Sequence, residues 1–117
     1  MIDTEKLDTA ILKRLRIMNG EQKGHSTNNW SVLLQPELGL VDPAEIQSAM
    51  KRLCADGIAR LKKWDEKLGG AYEYRPDDSP AIENQFFGFG AFDVLITDQG
   101  RRFLNVPGGR IGFQQPA

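Results

Sequence analysis

The apolar pattern between residues 42 and 75 changes period once, at Asp56-Gly57, and a fold must accommodate that change. Before it, everything reads as helix. Asp42 is suited to an N-cap, Pro43 to the first helical position, and Glu45, three residues after the cap, can close a capping box. Ile46, Ala49, Met50 and Leu53 then fall on one face, and Gln47, Ser48, Lys51, Arg52 and Ala55 on the opposite one. After Asp56-Gly57 the pattern alternates. Ile58–Trp64 and Ala71–Arg75 read as two strands of a hairpin joined across residues 65–70. Tyr72 and Tyr74 alternate with Ala71, Glu73 and Arg75, as on a half-buried strand.

Other elements flank this centre. Leu7, Ile11, Leu15 and Met18 recur at helical spacing, with Asp3 or Thr4 available as a cap and Asn19-Gly20 as a stop. Residues 19–29 are polar and read as a loop. A short second helix starts after Thr27-Asn28, turns Trp30, Leu33 and Leu34 inward, and ends or bends near Gln35, because Pro36 lacks a backbone donor. Pro76 to Pro80 breaks the chain. Residues 81–90 read as an aromatic loop or as the beginning of a strand. Phe92–Ile96 is a third strand, and Thr97 caps a last short helix through Leu104. The expected organisation is one domain over residues 1–106 with a flexible tail over 107–117.

The chain has 117 residues, enough to bury a core without disulfides or metal. No apolar run approaches the roughly 20 residues of a membrane span. The charged N-terminus and the single cysteine, Cys54, suit a reducing cytoplasm. Net charge is −1, which excludes a uniformly basic nucleic-acid binder. The charge is unevenly distributed, however. Residues 51–75 hold seven basic and four acidic side chains, a local +3, while the segments on either side each balance at −2. A locally basic surface attracts phosphate; a solvated charged hairpin explains the same count equally well.

Three stretches carry a family likeness. Glu37-Leu38-Gly39-Leu40 followed by Asp42-Pro43-Ala44-Glu45-Ile46 resembles the turn and start of a recognition helix. Ala49 to Ile58 resembles the junction between that helix and a wing, and Leu95-Ile96-Thr97-Asp98-Gln99-Gly100-Arg101-Arg102-Phe103-Leu104 resembles the strand-to-helix step after the wing. Together they resemble the winged helix-turn-helix domains of bacterial MarR-like and PadR-like regulators. The likeness implies an α+β fold with a three-helix core, a β-hairpin wing, a third strand and a short C-terminal helix. Pro36 and the long stretch 76–91 depart from the pattern, and the second suggests an elaborated wing or a partner-binding loop.

In such a fold the third helix enters the major groove and the hairpin touches the backbone or minor groove. Gln47 can then pair with adenine and Arg52 with guanine. Ser48 and Lys51 suit phosphates or base edges, and Lys62, Lys63 and Lys67 suit phosphates. The expectation is a DNA-binding transcriptional regulator that is not an enzyme and needs no cofactor or metal. The alternative is a winged-helix protein-interaction module without DNA affinity.

Other candidate sites are weaker. His25 is the only histidine, so it reads as a loop residue rather than a zinc ligand. Cys54 reads as a structural thiol, and Asp77-Asp78 as solvated turn residues. Phe86, Phe87, Phe89 and Phe92 read as core under the long loop in preference to an exposed patch that pairs two subunits or docks another protein.

Overall fold

The computed structural model describes residues 3–65, 70–88 and 90–104, and in them five helices accompany one antiparallel sheet. Helix α1 spans Thr4–Ile17, with Asp3 accepting from the Glu5 and Lys6 N–H groups. Strand β1 spans Glu21–His25, and α2 spans Thr27–Leu38. Helix α3 runs Pro43–Ala55, and Asp42 caps it through the Ala44 N–H at 2.9 Å. Strands β2 (Ala59–Asp65) and β3 (Gly70–Glu73) form the hairpin. Helix α4 (Pro80–Gly88), strand β4 (Phe92–Ile96) and helix α5 (Asp98–Leu104) complete the described chain.

The sheet order is β1-β4-β2-β3, so the last strand in sequence lies inside the sheet. Leu61 faces Val94 across the β2–β4 pair, and both are fully buried. Residues two apart share a sheet face, so Ala59, Leu61, Phe92, Val94 and Ile96 form the apolar side. Leu7, Ile11 and Leu15 of α1, Trp30 and Leu34 of α2, and Ile46, Met50 and Leu53 of α3 belong to the same core.

Four expectations about the elements require correction. Residues 19–29 are not all loop, because β1 pairs with β4 at Glu21–Leu95, Gln22–Val94 and His25–Phe92. This strand is polar and lies at the sheet edge, and it buries only Gln22, so no apolar alternation marks it. Helix α2 does not stop near Gln35. It starts at Thr27, two residues earlier than expected, behind a Ser26–Asn29 capping box, and carries Pro36 inside its last turn. Val32, whose carbonyl loses its helical donor to Pro36, is 67% exposed, so water can replace the bond. Met18, expected inward, is the exposed C-cap of α1. Finally, most of residues 81–90 is helix. Ser79 receives the Ile82 N–H on its hydroxyl and the Glu83 N–H on its carbonyl, and Pro80 occupies the first helical position. The tail, residues 107–117, lies outside the described residues.

Helix α4 docks through rings. Phe86 and Phe87 meet at 5.1 Å between centroids, and Tyr72, Tyr74 and Phe92 surround them at 5.3–5.7 Å. The tilted and edge-on arrangements are those that aromatic quadrupoles favour. Phe86 and Phe92 are fully buried and Phe87 nearly so, so these rings serve as core and are not available as a docking patch. Phe89 lies outside the described residues. Within the stretch 76–92, expected as a partner-binding loop, residues 80–88 are helix and Phe92 opens β4, and the described rings face inward.

A second joint ties the end of α3 to the start of α5. The Thr97 hydroxyl donates to the Gly57 carbonyl at 2.6 Å, with the Ile58 carbonyl at 3.1 Å, and it accepts the Gly100 N–H as the cap of α5. The Ile58 N–H donates to Leu53 and the Thr97 N–H to Ile58. Gly57 turns the chain at φ 75°, a conformation that favours glycine. At Gly100 a Cβ would lie 2.5 Å from Ile96 Cγ1 and closer still to the Ile58 carbonyl oxygen.

Two outcomes follow for stability. Gly100→Ala forces the joint apart and lowers unfolding free energy by about 1 to 3 kcal/mol, read as a lower urea midpoint at unchanged slope. Phe86→Ala empties the centre of the ring cluster and lowers it by about 3 to 5 kcal/mol. A midpoint unchanged in Phe86→Ala would mean that α4 is not part of the cooperative core.

Candidate nucleic-acid interface

The capped start of α3 and its apolar face against α1, α2 and β2 decide which side of this helix meets water. Ser48 and Ala55 are exposed there, while Gln47, Lys51 and Arg52 are half-buried. Ser48, Lys51, Arg52 and Ala55 line one side of a shallow groove of about 320 Å³, and Tyr74 and Pro76 line the other. The fold therefore brings Ser48, Lys51 and Arg52 to one open surface beside the chain segment that leaves the hairpin.

Both of these cations have internal partners. The Arg52 guanidinium straddles the Asp8 carboxylate of α1, with Nη2 at 2.8 Å from Oδ1 and Nε at 3.3 Å from Oδ2. That charge-assisted contact, opposed by partial burial, raises the Arg52 pKa above its ordinary value. Lys51 Nζ lies 2.8 Å from Glu83 Oε1 of α4. The Tyr74 hydroxyl donates to the second Glu83 oxygen at 3.1 Å. Burial first, and this carboxylate next, push the Tyr74 phenol pKa upward, so Tyr74 remains a donor. The sequence offers Asp8 as an acid near the start of α1, and pairs neither carboxylate with a cation of α3. Asp8 and Arg52 are 44 residues apart, and no local spacing signals a pair that only packing creates.

The hairpin lysines separate. Lys62 is half-buried and stands opposite Glu73 on β3 and Asp93 on β4. Lys63, expected at phosphate, points the other way. Its amine donates to the Phe86 carbonyl at 2.6 Å and the Gln85 carbonyl at 3.2 Å, and lies 5.6 Å from the Phe86 ring centroid. The C-terminal carbonyls of a helix lack partners within it, and a cation satisfies them well, so Lys63 serves α4. Lys67 lies outside the described residues. On β2, Arg60 forms a two-pronged pair with Glu73 at 2.7 and 3.1 Å, which holds the Glu73 carboxyl pKa below its usual range. Trp64 of β2 is 69% exposed and lies opposite Ala71.

The remaining candidates have structural roles. His25 is not in a loop but closes β1, with Nδ1 at 2.7 Å from the Lys23 carbonyl and Gln22 beside the ring. Asp78 accepts the Arg75 N–H and the Tyr72 hydroxyl, shaping the turn before α4. Among the described residues no three His, Cys, Asp or Glu side chains converge as metal ligands, and no helix is long and apolar enough to cross a membrane.

Cys54 is half-buried on α3. Burial, and secondarily the Glu73 charge, push its thiol pKa up to about 12. Only the thiolate is nucleophilic, so at pH 8 iodoacetamide should label the native protein more than about tenfold slower than the urea-unfolded chain. Equal labelling rates would mean that the thiol is open to solvent. Comparison with known protein families, curated proteins and solved structures found no match for this chain.

Proposed function

We propose that this chain is a winged-helix module that binds duplex DNA through α3 and the β2–β3 hairpin, a transcriptional regulator rather than an enzyme. The observation that carries the reading is the open α3 surface, where Ser48, Lys51 and Arg52 lie along one groove with Gln47 on the same helix. Three helices, a hairpin, a further strand and a short last helix are compatible with the fold that the sequence resembles. In that arrangement Gln47 suits base edges, Arg52 a guanine edge or a phosphate, and Ser48, Lys51 and Lys62 phosphates. Lys63 drops out of the set because it already holds the end of α4.

A second reading, a protein-interaction module without DNA affinity, is favoured by two observations. Lys51 and Arg52 are ion-paired within the chain, and the large exposed aromatic, Trp64, sits on the hairpin.

Binding of the purified protein to a random duplex library across a salt series separates the two. A DNA reader enriches a motif and binds more weakly as salt rises. Lys51→Ala with Arg52→Ala should weaken binding at least tenfold and reduce the salt slope by about 1 to 2, with the thermal melt nearly unchanged, since half-exposed pairs contribute about 0 to 1 kcal/mol each. Absence of motif and of binding at low salt would refute the DNA reading.

A further inference from the structure

The cations of α3 are held by carboxylates that arrive from both flanks, Asp8 from α1 and Glu83 from α4. The geometry resembles that of a phosphate contact. Arg52 engages both Asp8 oxygens with a two-pronged fork, the arrangement by which arginine also holds a phosphate. Lys51 takes a single oxygen, as a point charge does. Glu83 is itself positioned by the Tyr74 hydroxyl, and its side chain is only 20% exposed against 39% for Lys51. Asp8 is likewise less exposed than Arg52, at 26% against 36%. In both pairs the anion is the more sheltered partner and the cation the more open one.

We infer that Asp8 and Glu83 are built-in competitors of the DNA backbone, and that duplex binding on α3 is an exchange of these carboxylates for phosphates. The inference rests on the DNA-binding reading and adds its regulation. The free protein meets DNA with a neutralised α3 surface, so phosphate attraction alone gains little. Each exchange releases a carboxylate that then repels the backbone it has let in. Non-specific affinity is thereby held down, and a site must also offer base contacts, to Gln47, to open the pairs. Glu83 sits on α4, the segment inserted between the hairpin and β4, so this insertion brings one of the two anions to the α3 surface.

The test is fluorescence anisotropy with a labelled duplex of about 20 base pairs, using the wild type, Asp8→Asn, Glu83→Gln and the double variant. Glu21→Gln serves as control, since it removes an equal charge from β1, the sheet edge opposite the hairpin strand β3, where Glu21 pairs with Lys23 and not with a cation of α3. In each variant one amide oxygen still accepts a single bond from Arg52 or Lys51, and the amide NH2 can donate to the Tyr74 hydroxyl, so the charge and one acceptor are lost while the shape is kept. Each single variant should bind roughly two- to fivefold tighter than wild type, the factors multiplying in the double variant and exceeding that of the control. Each single variant reports on its own pair, so misfolding of one leaves the other decisive. Variants no tighter than the control would overturn the inference while leaving the DNA reading intact. No binding by any of these proteins at low salt would overturn both.

Discussion

The angle at which the sheet leaves α3 depends on one small joint. Leu53, Gly57 and Ile58 from the end of α3 meet Thr97 and Gly100 from the start of α5, through backbone bonds and a single hydroxyl. Strand β2 begins one residue after this joint and β4 ends one residue before it. Their pairing at Ala59–Ile96, Arg60–Leu95 and Leu61–Val94 continues the same set of hydrogen bonds. The joint therefore fixes where the hairpin stands relative to α3. It tolerates no side chain at Gly100 because the Ile58 carbonyl occupies that space. A surface composed of α3 and the hairpin is only as well defined as this contact.

The ring cluster performs the corresponding task at the other end of the sheet. Phe86 and Phe87 fix α4 against Tyr72, Tyr74 and Phe92, and Lys63 satisfies the carbonyls at its end. The same helix carries Glu83, so one set of contacts fills the core and also sets the charge on the α3 surface. Ring burial supplies the stabilisation there. The half-exposed ion pair contributes little to it and acts chiefly on which anions Lys51 can receive.

Much of this was legible in the sequence for local reasons. Asp42-Pro43 and the face Ile46, Ala49, Met50 and Leu53 define α3, and the alternation through Tyr72 and Tyr74 defines the hairpin. Thr97 declared the cap of α5. These signals operate over a few residues, where propensity and periodicity act. Two elements escaped notice. Strand β1 is polar and held by backbone pairing to β4, which no side-chain pattern records. Helix α4 has a proper start at Ser79-Pro80, equivalent to Asp42-Pro43, but its run of phenylalanines suggested an aromatic loop or a strand.

By itself, then, the sequence determined α1, α3 and α5, the strands with alternation, most of the core residues and the α3 face that meets water. Tertiary structure alone decided which charges on that face are already matched. Asp8 is 44 residues from Arg52 and Glu83 is 32 from Lys51, and the pairs exist because packing brings α1 and α4 to the two sides of α3. It also separated Lys62 from Lys63, which differ by one position and point to opposite faces of the sheet. The physical reason is range. Capping and amphipathic periodicity are written within a single turn or pleat, whereas electrostatic pairing depends on distances that exist only once the core has closed.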